Sequence, residues 1–271
     1  MDATLFEEPY HLTPEQIEAY RRDGQILLRN VAPDGAVEAL RPSLQEILSQ
    51  AASRRDSQGR LEDYSRLFQQ VTNVWKMSET VRTFVFAKRF ARLAAELMGV
   101  DGVRLYHDQA LFKPAGGKAT PWHQDQIYWP HTTPHTITMW MPLIDLTREM
   151  GTMCFANGSH IHGALVQEAI SERSDTLLTK LIEERKIPVQ SYALSAGDAT
   201  FHSGWTAHAA FANNGAVVRE VFTIIYYANG STIMQPDNKF REVDMLAFHP
   251  GQQPGELASS PLNPLLYHRQ E

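Results

Sequence analysis

A chain of 271 residues, 43% hydrophobic and 21% charged, is long enough to bury a full core and has the composition of an ordinary soluble globular protein. A net charge of −6 argues against nucleic acid as a bulk partner, since phosphate binding needs clustered Lys and Arg, and no run of about 18 apolar residues is available to cross a bilayer. Cys154 is the only cysteine, so no intramolecular disulfide can form, and Met1 to Tyr10 lacks a basic-then-apolar leader pattern; the expectation is a cytoplasmic protein.

The first hundred residues read as helical. Thr13-Pro14-Glu15-Gln16 is a capping-box pattern with proline at the first helical position, and Gly24 supplies the stop. Ile26, Leu27 and Leu28 form a short apolar strand candidate. Val37, Leu40, Leu44, Ile47 and Leu48 keep helical spacing. Ser53 to Asp63, charged and glycine-containing, reads as a solvated loop. One helix is predicted from about Glu79 to Met98, with Phe90, Leu93, Ala94 and Leu97 on one face and Gly99 ending it.

After Gly102 the texture changes to short segments rich in β-branched and aromatic residues between Gly and Pro punctuation: Val103 to Phe112, Ile137 to Ile144, Tyr192 to Leu194, Ala199 to His202 and Val217 to Tyr227. This predicts an antiparallel double-sheet barrel interrupted by one helix, Ser174 to Lys186. The stretch Pro250 to Pro264 is proline-rich and reads as irregular. With no internal repeat and no linker, the chain reads as a single domain over 1–271. Its parts are a helical N-terminal layer at about 11–99, a β core at about 102–230 and an irregular tail over 231–271.

Eight of the eleven histidines fall between His107 and His208 inclusive. The sharpest local pattern is Trp122-His123-Gln124-Asp125-Gln126. On an extended strand, residues two apart point the same way, so His123 and Asp125 can address one ion from one face. Two imidazoles and a carboxylate on one face suit iron(II) oxygenases, filling three positions and leaving three open. His107-Asp108, His131 and His135 offer competing histidines. Downstream, Gly197-Asp198 is a tight turn into a strand, followed by His202, Trp205, His208 and Arg219. His208 is the candidate third ligand. Arg219, among Val217, Val218, Val221 and Phe222, can grip a carboxylate bidentately.

This order of His-x-Asp, an apolar strand with Trp140, Gly158-Ser159-His160, Gly197-Asp198, His208 and an arginine eleven positions on resembles the phytanoyl-CoA dioxygenase family of iron(II)/2-oxoglutarate enzymes. The resemblance runs from the helix at Thr13 to Tyr227. It implies a mainly β fold with a double-stranded β-helix (jelly-roll, cupin-like) core. It also implies His123, Asp125 and His208 as iron ligands, with Fe(2+), 2-oxoglutarate and O2 as cofactor and co-substrates. Arg219 then matches the residue that pairs with the far carboxylate of 2-oxoglutarate, and Trp140, Gln109 and Asn73 match the wall of its pocket. Ala210 stands where some members carry a serine, so a second hydrogen bond to that carboxylate is expected from another group, Thr138. His160 reads as structural, and Lys113 as a loop-orienting or surface residue.

The implied reaction is hydroxylation of a small organic metabolite with release of succinate and CO2. Desaturation, epimerisation or ring formation are alternatives on the same scaffold, and Asp125 argues against halogenation, which needs that carboxylate replaced. Trp129, His131, His135, His202 and Trp205 are the candidate substrate contacts. The competing readings are a zinc hydrolase on the same three ligands, which leaves Arg219 unexplained, and a catalytically silent β-sandwich that binds a metabolite. The expected partner is a small molecule, not nucleic acid or a membrane.

Overall fold

The computed structural model describes residues 1–57 and 69–269. Two antiparallel sheets face each other. Strands β1 (Gln25–Leu28), β2 (Gln69–Thr72), β3 (Gly102–Lys113), β5 (Thr136–Pro142), β8 (Ala199–Ser203), β10 (Arg219–Ala228) and β11 (Leu265–His268) make the larger sheet, in the order β1-β8-β5-β10-β3-β11 with β2 also on β3. Strands β4 (Thr120–His123), β6 (Met153–Ala156), β7 (Val189–Ser191) and β9 (His208–Ala210) make the smaller sheet, in the order β4-β9-β6-β7.

The outer face of the larger sheet is covered by helices α1 (Pro14–Asp23), α2 (Ala36–Ser57), α3 (Glu79–Val85) and α4 (Lys88–Met98). In α4, Phe90, Ala91, Leu93, Ala94 and Leu97 recur at helical spacing and are all buried, which makes one apolar stripe of this short helix. That stripe shares one core with Val103, Leu105, Met139, Phe201, Phe222 and Ile224, and Phe84 meets Phe222 edge-on at 5.9 Å. The predicted helix from Glu79 to Met98 is two helices, because Ala87 is extended (φ −61°, ψ 118°) and restarts the chain.

Every residue of β5 and β10 is buried, so both faces of these strands are covered and strand parity sorts them. In β10, Phe222, Ile224 and Tyr226 face the helices, while Arg219, Thr223 and Ile225 line an inner cavity. In β5, Met139 and Met141 face the helices and Thr138 and Trp140 the cavity; in β3, His107, Gln109 and Leu111 face the cavity. Between Ile225 and Tyr226 the β3–β10 register shifts, and Tyr106 is the extra residue of the bulge.

Three expectations are corrected. The segment Tyr192 to Leu194 is not a strand: β7 lies earlier, and Leu194 makes only an isolated bridge to Leu146. Ser53 to Ser57 belong to the end of α2, and the rest of the predicted loop to Asp63 lies outside the described residues. The stretch 231–271 is not uniformly irregular. Asn238 accepts a hydrogen bond from the Arg241 amide and starts a helix over Lys239–Phe248, and β11 closes the edge of β3. The helix predicted from Ser174 to Lys186 is found at Glu172–Glu184, capped reciprocally by Ser171 and Ser174, and is α5; the helix at Lys239–Phe248 is α6. Among the described residues no helix is long and apolar enough to cross a membrane.

Candidate active site

The cavity between the sheets has a volume of about 330 Å³. His123 ends β4 and His208 opens β9, and the two are cross-strand partners, so their rings meet at 4.1 Å. Gln124 stays extended (φ −124°, ψ 128°), which brings Asp125 back to the face of His123 although Asp125 itself starts a 3-10 turn rather than continuing the strand. Gln124, facing the other way, donates to the carbonyls of Gly163 (2.8 Å) and Trp205 (2.6 Å) and accepts from the Leu165 amide, which clamps the surrounding loops.

Nδ1 of His123 lies 2.8 Å from the Pro121 carbonyl, and Nδ1 of His208 lies 2.9 Å from the Thr206 carbonyl. A carbonyl can only accept, so both Nδ1 atoms carry the proton and both Nε2 lone pairs are left bare. Those Nε2 atoms sit 3.5 and 3.6 Å from Asp125 Oδ1, and one ligand atom from each of the three residues lies within 4.8 Å of the others. Burial holds His208 well below the usual imidazole range, which keeps it neutral. Two imidazoles with their outer nitrogens tied to carbonyls, and one carboxylate, fit an iron(II) ion with open positions.

His202 stands apart from that set. Its Nε2 lies 3.5 Å from Asp125 Oδ2, the oxygen turned away from the other two histidines, and Thr138 Oγ1 donates to the same oxygen at 3.4 Å. His202 therefore braces the carboxylate, and Thr138 is engaged there rather than at the far end of the cavity. The chain turns between His202 and His208 at Gly204, where a Cβ would come within 2.7 Å of Gln126 Oε1, so only glycine fits this close approach. Ser159 Oγ accepts from the Ala207 amide, and His160 Nε2 donates to the Arg21 carbonyl, so Gly158-Ser159-His160 is a brace beside His208.

At the other end, Arg219 is buried at the start of β10, opposite Lys113. Its Nη1 donates to the Gly151 carbonyl at 2.9 Å, and its guanidinium lies 5.6 Å from the Trp140 ring. Lys113 is not at the surface: it is 1% exposed, and Nζ donates to Thr120 Oγ1 (3.3 Å) and the Phe211 carbonyl (3.2 Å). Burial, with the nearby charge of Arg219, lowers Lys113 to about 7, and burial lowers Arg219 to about 9. Two cations drawn this far out of water make a strong site for an anion. Thr120 lines the cavity and is the cross-strand partner of Ala210, so its hydroxyl sits where Ala210 offers none.

Gln109 lines the cavity and Asn73 does not. In β2, Gln70 and Thr72 share the inner face; Asn73 follows in a left-handed turn (φ 52°), its amide on the Asp108 carbonyl. Of the expected substrate contacts, Trp129 and His202 line the cavity. His131 is buried behind it, stacked on Tyr227 at 4.2 Å; His135 is exposed; Trp205 meets Gln124 through its carbonyl. Sequence reasoning missed Thr120 and His107 as wall residues, and also Asp244 and Phe248 on α6.

Two antiparallel sheets thus enclose a His/Asp/His set and a buried arginine in one cavity. The profile of the phytanoyl-CoA dioxygenase (PhyH) family matches residues 20–221, and the chain belongs to that family. It is 25% identical over 169 residues, 60% of this chain and 58% of the relative, to a probable alpha-ketoglutarate-dependent hypophosphite dioxygenase of Stutzerimonas stutzeri. It is 29% identical over 119 residues, 44% of this chain and 38% of the relative, to an ectoine dioxygenase of Bordetella parapertussis. These matches thus span less than two thirds of either relative. Among solved structures, the alpha-ketoglutarate-dependent carbocyclase SnoK from nogalamycin biosynthesis shares the fold with a TM-score of 0.76 at 23% identity, over 95% of this chain and 99% of that one. The epimerase SnoN, solved with Fe3+, alpha-ketoglutarate and nogalamycin RO, shares it at 0.68 and 24%, over 98% and 100%.

Proposed function

We propose that this protein is an iron(II)- and 2-oxoglutarate-dependent dioxygenase that hydroxylates a small organic metabolite, releasing succinate and CO2. The observation that carries this reading is one cavity holding His123, Asp125 and His208 together with the buried Arg219. Bound iron(II), with 2-oxoglutarate and O2, supplies the oxidising power to replace a C–H bond by C–OH.

The chain's own residues hold, orient and keep dry. His123, Asp125 and His208 hold the metal, and His202 and Thr138 fix the second oxygen of Asp125 so that the first stays aimed at it. Arg219 grips the far carboxylate of 2-oxoglutarate. Thr120, whose oxygen accepts from Lys113, is left with its own proton to donate to the same carboxylate. Trp140, Met153 and Val221 exclude water around that ion pair.

Residues 1–271 are read here as one catalytic domain, with the helices of the first hundred residues backing a jelly-roll core. The sole cysteine and the acidic net charge favour a cytoplasmic protein with a small-molecule partner. The fold shared with a carbocyclase and an epimerase supports ring closure or epimerisation as the second outcome. Purified protein with iron(II), 2-oxoglutarate and O2 is expected to release succinate, faster with the true substrate. Mass spectrometry then separates the outcomes: hydroxylation adds one oxygen, ring closure removes two hydrogens, and epimerisation leaves the mass unchanged. A protein that releases no succinate under any screened compound is the silent binder instead.

A further inference from the structure

The cavity has a second pole that neither the metal set nor Arg219 uses. On α6, Phe240, Asp244 and Phe248 are four residues apart and share the face turned inward. Asp244 and Phe248 line the cavity, and Phe240 backs its wall by packing on Tyr128 at 5.4 Å. Asp244 Oδ2 accepts from the hydroxyl of Tyr106 at 2.9 Å, the residue that the β3 bulge sets out of register. Among the described residues, no hydrogen bond is made to Oδ1.

Among the described residues, no Lys or Arg balances that carboxylate from within the cavity. Arg219 is the sole Lys or Arg among the described lining residues, and it lies at the opposite end. Tyr106 adjoins the His107–Ile225 pair, six residues along β10 from Arg219, which is roughly 20 Å at the usual strand rise. Arg241, one turn from Asp244 on the same helix, is spent on Asp237 at 2.7 Å. Burial raises Asp244 to about 7, as expected of an acid facing a half-dry space without a counter-charge. Around it the wall is aromatic and apolar: Phe248 stacked on His107 at 4.2 Å, then Tyr128, Trp129, Ile170 and Ile225. A carboxylate set among ring faces is the environment that stabilises an organic cation, through direct charge and through the ring quadrupoles.

We infer that Asp244 anchors a cationic nitrogen of the substrate, so that the substrate is a small amine, amidine or guanidine whose carbon skeleton lies on Phe248, Tyr128 and Trp129. This rests on the reading of the cavity as an oxygenase site and adds the substrate class to it. An anionic substrate such as an acyl thioester of a phosphorylated carrier is disfavoured by the same carboxylate.

The test is calorimetric titration of the protein loaded with iron(II) and 2-oxoglutarate under nitrogen, using benzylamine, benzyl alcohol and benzoate as probes. Benzylammonium is expected to bind about tenfold or more tighter than benzyl alcohol, and benzoate more weakly than either. Asp244→Asn is expected to remove the preference for the cation while leaving 2-oxoglutarate binding in place, and Tyr106→Phe to reduce it by freeing the carboxylate to move. Equal binding of the amine and the alcohol by the unaltered protein, or a preference that survives Asp244→Asn, overturns the inference. If 2-oxoglutarate binds and benzylammonium does not, this inference alone falls; if 2-oxoglutarate itself gives no binding, the oxygenase reading falls first.

Discussion

The two poles of the cavity are built differently. The pole of His123, His208 and Arg219 stands on strands, with Asp125 on the 3-10 turn that follows β4; both histidines are tied to carbonyls and Arg219 to the Gly151 carbonyl. The pole of Asp244 and Phe248 stands on one ten-residue helix whose outer side leaves Val243 and Leu246 exposed. Strand residues in a ladder have fixed spacing and direction, so they can hold a metal geometry; a docked helix can be exchanged or shifted without disturbing that ladder. The difference teaches that reaction chemistry and substrate choice are physically separable in this molecule.

The largest effect expected is at the strand pole. His208→Ala is expected to abolish iron binding, measured as metal content after anaerobic loading, because two ligands remain. His202→Ala is expected to keep iron and lose roughly 10- to 100-fold in rate, the size of effect known for groups that brace a ligand. Iron kept in the first variant and lost in the second would reverse their roles. Next, Arg219→Ala is expected to weaken 2-oxoglutarate by about 2–5 kcal/mol with iron retained. An unchanged affinity would move the carboxylate anchor to Lys113.

The buried cations also give that pole a pH signature. Lys113 lies at about 7 and Arg219 at about 9 before a carboxylate arrives, and a bound dianion favours the protonated form of each. Below about pH 7 both are already charged and the affinity for 2-oxoglutarate is flat. Above it, affinity is expected to fall as pH rises, by at most about tenfold per unit for Lys113 alone. Lys113→Met is expected to flatten the slope between pH 7 and 9. Smaller still, Thr120→Val is expected to cost about 1 kcal/mol in 2-oxoglutarate binding, and Ala210→Ser on that background to restore part of it across the strand pair. Smallest, Asp244→Asn and Phe248→Ala are expected to leave 2-oxoglutarate affinity within about 0.5 kcal/mol, since groups roughly 20 Å from Arg219 act independently of it. A large loss there would break the separation of the two poles.

What could be read beforehand follows the same division. His123 and Asp125 were legible because residue type and alternation carry their message locally; His208 and Arg219 were picked out by the order and spacing that resemble the phytanoyl-CoA dioxygenase family, since parity alone leaves His202 and His208 equivalent. Asn73 was misplaced by one position, since parity in β2 puts Gln70 and Thr72 inward. Lys113 had the parity of His107, Gln109 and Leu111, but its charge argued for the surface, and only the register with Arg219 shows why it is buried. Asp244 and Phe248 lay in the stretch 231–271 that read as an irregular tail, next to the proline-rich run that begins at Pro250. Their spacing of four was visible, but its meaning depends on where α6 docks, which is a long-range fact.

On the proposed function, one cavity holds both an iron site and a 2-oxoglutarate site. Titrating 2-oxoglutarate into the iron(II)-loaded protein under nitrogen tests it directly. A visible charge-transfer band is expected that saturates at one 2-oxoglutarate per iron, and it is expected to be missing from Arg219→Ala at the same concentrations. Iron-loaded protein that develops no band and binds no 2-oxoglutarate would contradict it.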